Sequence, residues 1–310
     1  MKGREDEGQS LISPEELADI TARLSEHPFL KLPKGRLSVS QIEMYLRCAR
    51  QYMLRYVRDE IRPPGVAMIL GSSAHKAAEH THHHIVDHKV PASEEEVLAA
   101  YSDCYELGLV DVPTKAKEDA EAFKVKDVGV ELVKLYNKHH APTVQPRVSP
   151  DGTRGIELKF EQDIAGVPML GYIDLIDVNV PVGISETEYH MLQSRGVTVP
   201  EDMRTCVTDL KTKGKAASAG EIRDSLQLTV YSFVTGILAV RFDQMIKTKQ
   251  PKVQRITDYR SPADHLWMQE IVRSVAMSIS AGVFPPCNPV EWICSEKWCG
   301  YYSQCRGRKM

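Results

Sequence analysis

The chain has 310 residues, 42% of them hydrophobic and 26% charged, enough to bury a substantial core in one elaborated domain, with two also within reach. Lys and Arg number 39 against 42 Asp and Glu, a formal net charge of −3, so no global basic field advertises a nucleic-acid partner and any such contact is local. There is no apolar signal core at the N-terminus and no run of roughly 18 apolar residues, which excludes a cleaved leader and a membrane span and leads us to expect a cytoplasmic protein.

Residues 1 to 35 are polar, with acidic runs such as Glu5-Asp6-Glu7, and read as a flexible, peripheral segment; Ser13-Pro14-Glu15-Glu16 can start a short helix. The folded part starts at Leu37, where Ser38 or Ser40 can cap a helix carrying Ile42, Tyr45, Leu46 and Met53. Pro63-Pro64-Gly65 ends it. A second helix is expected from near Gly71, through His75, Ala78 and a histidine-rich stretch, to Val90. Two more helices follow as a helical insertion over about residues 92 to 142, one around Val97, Leu98 and Tyr101 and one around Phe123, Val128, Leu132 and Tyr136.

After Pro150 the texture changes. Ile156 to Phe160 alternates apolar and polar residues, Gly166-Val167-Pro168 sets a turn, and Met169 to Val178 reads as a strand, so a hairpin is expected. Residues 180 to 200 read as a surface loop before a strand over Thr205 to Thr212. A long helix from about Ala219 to Val240, a strand near Asp258, a helix from Ala263 to Ala281 and an irregular tail from Phe284 complete the pattern. Helices, three antiparallel-looking strands and further helices predict an α/β core.

Asp174 and Asp209 stand in apolar strand contexts, where an ionised carboxylate is expensive unless it is paired or bound to a cation. Hard cations such as Mg²⁺ or Mn²⁺ prefer such oxygen ligands, and phosphodiester cleavage uses them to neutralise phosphate and acidify water. The period of two along a strand puts Asp209 and Lys211 on one face, so a candidate metal ligand neighbours an ammonium that can stabilise charge building on a phosphate. Taken alone, an Asp in a strand also marks edges and bulges, and Asp-X-Lys recurs by chance. Gln227 and Tyr231, four apart on an expected helix, share a face.

These residues, in this order, resemble the PD-(D/E)XK nuclease superfamily, and within it the RecB-like exonuclease branch that includes CRISPR-adaptation and phage recombination exonucleases. The similarity runs over most of residues 37 to 305: Leu37 to Ser40 with Tyr45 and Cys48, Gly71 to His75, Gly171 to Asp174, Asp209-Leu210-Lys211, and Gln227 with Tyr231. It implies a restriction-endonuclease-like mixed β-sheet core flanked by helices, a nuclease domain over residues 36 to 283, and a C-terminal cysteine-rich segment over 284 to 310. By the same resemblance His75, Asp174 and Asp209 hold Mg²⁺ or Mn²⁺ with a carbonyl near Leu210, Lys211 is catalytic, and Gln227 and Tyr231 position the site or the DNA. Glu157 is open between an auxiliary ligand and a solvated strand residue. His80, His82, His83 and His84 read as a polar helix face.

Seven cysteines in a chain of this type argue for free or metal-bound thiols over a disulfide framework. Cys294, Cys299 and Cys305 fall in an aromatic-rich segment with no helical or strand period. The resemblance implies that Cys48 joins them around a [4Fe–4S] cluster; Zn²⁺ on the same thiolates is the rival, Cys287 the competing fourth ligand, and Trp298, Tyr301 and Tyr302 the candidate shield. Cys104 and Cys206 read as ordinary buried cysteines. The resemblance further implies an exonuclease on linear DNA ends, in recombination, repair or phage DNA processing, with a recombination partner or a second copy as possible company and the host cytoplasm as its place if phage-encoded. Two other classes stand beside it. A catalytically inactive DNA-binding or assembly subunit would lose the metal ligands, and an iron–sulfur redox protein would need an electron partner, for which no nucleotide or flavin fingerprint is present.

Overall fold

The computed structural model describes residue 19 and residues 31–119, 121–178 and 205–306. The expected loop over 180 to 200 and most of the polar N-terminal segment lie outside the described residues.

In chain order the elements are α1 (Val39–Arg47), α2 (Ala49–Tyr52), a π-helical turn (Met53–Val57), α3 (Val66–His88), α4 (Glu94–Leu109), α5 (Thr114–Asp119), α6 (Ala122–His139), β1 (Ile156–Ile164), β2 (Val167–Asp177), β3 (Cys206–Lys213), α7 (Ala219–Arg223), α8 (Leu226–Thr235), β4 (Ala239–Ile246), β5 (Lys252–Tyr259), α9 (Pro262–Ser280) and α10 (Tyr302–Cys305). The five strands make one sheet in sequential order, with β2–β3 and β4–β5 antiparallel and β3–β4 parallel. This is the mixed sheet of a restriction-endonuclease-like α/β fold. No described helix is long and apolar enough to cross a membrane.

Two expectations are corrected. The second helix starts at Val66, directly after Gly65, and Gly71 lies inside it. The long helix expected over 219 to 240 breaks twice: α8 stops at Gly236, whose φ of 71° is the left-handed C-cap that glycine supplies at no steric cost, and the next residues enter β4. The strand was hidden because every β4 residue is buried, which erases the alternation that marks a half-exposed strand.

The chain forms two compact units. Among the described residues the first comprises those within Pro64–Lys159 and Tyr172–His265. In it the β3–β4 register pairs Asp209 with Phe242 and Lys211 with Gln244, so these four share one face. Phe242 packs there with Ile222 of α7 and Leu228 of α8. On the other face Leu210 and Met245 join Leu70, Ala74, Ala77, Tyr101, Leu132 and Tyr136 in the core shared with α3, α4 and α6. Each large apolar side chain buried in this way is worth about 1.5–3 kcal/mol. The small Ala74, Ala77 and Ala78 let the helices approach closely; likewise a Cβ on Gly129 of α6 would collide with the Tyr101 hydroxyl of α4.

The same face buries a charge network absent from the sequence reading. Arg241 bridges Asp177 at 2.7 Å and Asp243 at 2.8 Å, and Arg255 reaches Asp243 at 3.1 Å. All of Asp177, Arg241 and Asp243 are buried. Pairing is what makes them tolerable there, since removing one partner from a buried ion pair costs several kcal/mol.

Among the described residues the second unit comprises those within Glu15–Pro63, Phe160–Gly171 and Leu266–Met310. Ser38 caps α1 in a reciprocal capping box with Gln41. The helix ends before Cys48, and the following turn binds the C-terminal segment: Arg50 N donates to Pro285 O at 3.0 Å and Tyr45 Oη donates to Val283 O at 2.6 Å. Tyr52 stacks with Phe284 at 6.2 Å. Gly171 makes room for Phe160, whose ring stands 2.5 Å from where a Cβ would be.

Candidate active site

The candidate site is built in the first unit from β2, β3, the third turn of α3 and the start of α8. The β2–β3 pairing matches Leu175 with Thr208; one step further along these antiparallel strands, Asp174 stands opposite Asp209. Asp174 Oδ2 accepts a hydrogen bond from Leu210 N at 2.8 Å and lies 3.5 Å from His75 Nδ1. His75, Glu157 and Asp174 each offer a ligand atom, all within 4.8 Å of one another. Glu157 reaches the group from β1 with a left-handed φ of 44°, a conformation a non-glycine residue holds only where its surroundings impose it.

Asp209 is 1% exposed, and neither of its carboxylate oxygens receives an aligned hydrogen bond from the described residues. Lys211 Nζ lies 2.7 Å from Asp209 Oδ2 as an ion-pair contact. Burial first, and the charge of Asp209 second, push the Asp174 carboxyl well above its ordinary range, against the pull of the Leu210 amide. Burial likewise raises Glu157, with Glu79 adding to it. His75 is lowered by burial, partly offset by Asp209, which keeps its imidazole neutral. Two carboxyls resisting ionisation, a buried carboxylate short of donors and a neutral imidazole form an oxygen-rich donor set that fits a hard divalent cation.

A hydrogen-bonded line leads away from the lysine. Lys211 Nζ donates to Gln227 Oε1 at 2.7 Å, Gln227 Nε2 donates to Tyr231 Oη at 2.7 Å, and Tyr231 Oη donates to Tyr172 O at 2.5 Å. Ser225 caps α8, which aims Gln227 of the first turn at the sheet. The line ties α8 to both site-bearing strands, and it leaves the Lys211 ammonium between one carboxylate and one amide oxygen. Phe242 lies below it, its ring centroid 5.9 Å from Nζ.

Of the nuclease residues expected from sequence, Asp174 lies against His75 and the Leu210 amide, and Asp209 is tied through Lys211 to Gln227 and Tyr231; the cluster of ligand atoms within 4.8 Å holds His75, Glu157 and Asp174 and leaves Asp209 outside it. Glu157 joins them, and the signal that could have favoured it was its place at the start of a strand in the expected hairpin. The histidine run does not behave as one polar face: His82 is buried and 2.9 Å from Tyr136 Oη. Its periodicity gave this away, since Ala74, Ala78, His82 and Ile85 follow one stripe.

In the second unit Cys48, Cys287, Cys294, Cys299 and Cys305 line one small cavity, with Pro286, Ile293 and Tyr302 between them. Cys287 N donates to Cys48 Sγ at 3.4 Å. Burial and the neighbouring Cys48 and Cys294 thiols push the Cys287 thiol up to about 12. Tyr301 is buried and donates to Glu60 O at 2.6 Å, whereas Trp298 faces outward and does not shield the thiols. Elsewhere Cys206 is buried as expected, and Cys104 is only half-buried.

Residues 36–186 match the model of the PD-(D/E)XK nuclease superfamily. That segment includes His75, Glu157 and Asp174 and ends before Asp209 and Lys211. The chain matches no curated protein at a significant level. Among solved structures it is similar to SSO0001, with 12% identity, 95% of each chain covered and a TM-score of 0.36. It is also similar to a Eubacterium rectale protein whose name assigns it provisionally to the exonucleases, with 12% identity, 92% of this chain and 93% of that one covered, and a TM-score of 0.41.

Proposed function

From the match of residues 36–186 to the PD-(D/E)XK nuclease superfamily, we propose that the chain is a metal-dependent deoxyribonuclease that hydrolyses phosphodiester bonds at the ends of linear DNA, in recombination, repair or phage DNA processing. The observation that carries this reading is the juxtaposition of Asp174 and Asp209, with Asp209 buried and short of hydrogen-bond donors beside Lys211. Two buried carboxyls with a neutral imidazole beside them suit a hard divalent cation.

His75, Asp174, Asp209 and the Leu210 carbonyl would hold Mg²⁺ or Mn²⁺, with Glu157 as a further oxygen ligand. When bound, the cation supplies charge to neutralise the scissile phosphate and acidity to a water. The chain's own contribution is orientation and charge. Leu210 N–H fixes Asp174, the Tyr172 carbonyl anchors Tyr231, and Tyr231 and Gln227 hold the Lys211 ammonium, ready to stabilise negative charge developing on the phosphate.

A second cofactor is part of the same proposal: a [4Fe–4S] cluster on Cys48, Cys294, Cys299 and Cys305, in a cysteine segment appended to a nuclease domain over residues 36 to 283. The five thiols line one cavity, with the Cys48 and Cys294 thiols beside that of Cys287, a soft sulfur donor set of the kind an iron–sulfur cluster takes.

The test is incubation with end-labelled linear DNA and Mn²⁺ or Mg²⁺, beside Asp209→Ala and Lys211→Ala. The expected result is cleavage by the wild type and loss of at least about a hundredfold in either variant. Wild-type activity no higher than that of the variants would sink the reading in favour of a catalytically inactive DNA-binding or assembly subunit.

A further inference from the structure

On the proposed nuclease reading, we infer that Tyr172 is a substrate-binding residue of the same site: its ring stacks on the nucleobase beside the scissile phosphate, which makes an unpaired nucleotide the preferred substrate.

The position follows from the way β2 and β3 part. Their ladder pairs Leu175, Ile176 and Asp177 with Thr208, Val207 and Cys206, and among the described residues it goes no further. Leu210 N, on the β2 side of β3, donates instead to the Asp174 carboxylate at 2.8 Å, and Tyr172 O accepts from the Tyr231 hydroxyl of α8 at 2.5 Å. The two strands thus separate where the carboxylates stand. Alternation along β2 puts the Tyr172 side chain on the face of Asp174, two residues and about 7 Å along the strand towards the open end. Ile173 to Asp177 are all buried, whereas Tyr172 is 49% exposed. The ring stands at the mouth of the face that carries the site.

Nothing in the fold uses that ring. Tyr45, Tyr101, Tyr105 and Tyr301 each donate their hydroxyl to a backbone carbonyl. The Tyr172 hydroxyl has no hydrogen-bond partner among the described residues, and its ring stacks on no other. A single exposed aromatic is ordinary on a protein surface; this one lies where a strand reaching Asp174 and Lys211 passes. Its main chain is already fixed by Tyr231, and a tyrosine has only two side-chain torsions to order, so contact costs little entropy.

The chemistry of the face selects the part of the substrate that the ring takes. Glu157, Asp174 and Asp209 repel a phosphate that is not brought by a cation or by Lys211, while a neutral ring beside them suits a base. Every base has a π face, so stacking tolerates sequence, but a duplex covers those faces within its own stack. An unpaired or frayed terminal nucleotide leaves one open.

The experiment uses the full-length protein with fluorescein-labelled oligothymidylate, an abasic strand of the same length and a blunt duplex. Cleavage is followed in Mn²⁺ and binding by anisotropy in Ca²⁺. Tyr172→Ala is expected to raise KM and Kd for oligothymidylate at least about fivefold, the lower end of base–aromatic stacking, with the loss falling on KM more than on kcat. Tyr172→Phe, which keeps the ring, is expected to recover most of it. On the abasic strand, which has no base to stack, Tyr172→Ala and the wild type are expected to differ little, and the variant should lose less on the blunt duplex than on oligothymidylate. An unchanged KM in Tyr172→Ala, with Asp209→Ala inactive, would overturn the contact and leave the nuclease intact. An equal loss on the abasic strand, or a Tyr172→Phe as weak as Tyr172→Ala, would overturn it too, because the effect would then come from a distorted site or from the hydroxyl. Oligothymidylate binding that depends on the Tyr172 ring, in a protein that cuts no DNA, would support the contact and refute the nuclease.

Discussion

Asp174 Oδ2 accepts the Leu210 amide at 2.8 Å, which pins the carboxylate of one strand beside the Asp209–Lys211 pair of the next. The two carboxyls share a buried site, and in the absence of a cation their mutual repulsion and desolvation weigh against folding. Mn²⁺ at about a hundred times its dissociation constant is therefore expected to stabilise the wild type by about 2.7 kcal/mol, visible as a rise of several degrees in Tm. Asp209→Asn is expected to be at least as stable as the wild type without metal and to show little metal-dependent rise. Equal rises in wild type, Asp174→Asn and Asp209→Asn would show that the ion binds elsewhere.

Tyr231→Phe removes one hydroxyl from the line between Lys211 and the Tyr172 carbonyl. It leaves a carbonyl and an amide group of Gln227 short of partners, so a stability loss of about 1–3 kcal/mol is expected. Single-turnover cleavage should fall about tenfold, less than in Lys211→Ala, because the ammonium stays but loses its alignment. A Tyr231→Phe rate equal to that of the wild type would remove Gln227 and Tyr231 from the proposed machinery.

Stability should fall on acidification below neutrality. Burial lowers His82 to about 3 and His140 to about 4, with Asp243 opposing the shift in each. Above the unfolded value near 6.5 both are neutral in either state. Below it the unfolded chain takes up protons that the folded chain refuses, and stability is lost progressively towards pH 4 and 3. At pH 5 this amounts to roughly 2 kcal/mol per histidine. Asp174 and Glu157, whose carboxyls are raised, act in the opposite direction, so the clean measure is a difference. Urea unfolding of wild type and His82→Gln from pH 7.5 to 5 should give a shallower slope for the variant, and parallel slopes would refute the assignment.

Five thiols share the cavity of the second unit, one more than a cluster takes. Cys299→Ser is expected to abolish the brown colour and to release iron after anaerobic purification. Cys287→Ser is expected to keep both, since Cys287 is the thiol outside the proposed ligand set. Colourless wild type with stoichiometric zinc would overturn the cluster, and loss of iron from Cys287→Ser with retention in Cys305→Ser would exchange the two ligands.

Much of the site was legible before any coordinates. Asp174, Asp209 and Lys211 were found because charged side chains are conspicuous in short apolar runs, although Ile173–Asp177 and Cys206–Leu210 are themselves buried on both faces; His75, Gln227 and Tyr231 follow helical spacing. β4 was not legible. Fully buried strands lose the alternation that announces them, and Ala-Val-Arg-Phe-Asp-Gln-Met-Ile after a helical run reads as more helix until Gly236 is taken as a stop. The Arg241 network went unseen with it, since a buried arginine has meaning only once its carboxylates are known.

The sequence by itself determined the chemistry available: an Asp-X-Lys strand, a second strand carboxylate, a histidine, a Gln–Tyr helix face and a set of cysteines. Local periodicity could determine that much because neighbours along the chain fix which side chains share a face. Only the tertiary structure decided which of these meet. The β2–β3 register sets Asp174 against Asp209, the place of β1 beside β2 in the sheet brings Glu157 to His75, and the fold of the C-terminal segment sends Tyr301 inward and Trp298 out. Register and burial arise between segments far apart in the chain, and they are set by the sum of packing over the whole core, which no local window contains.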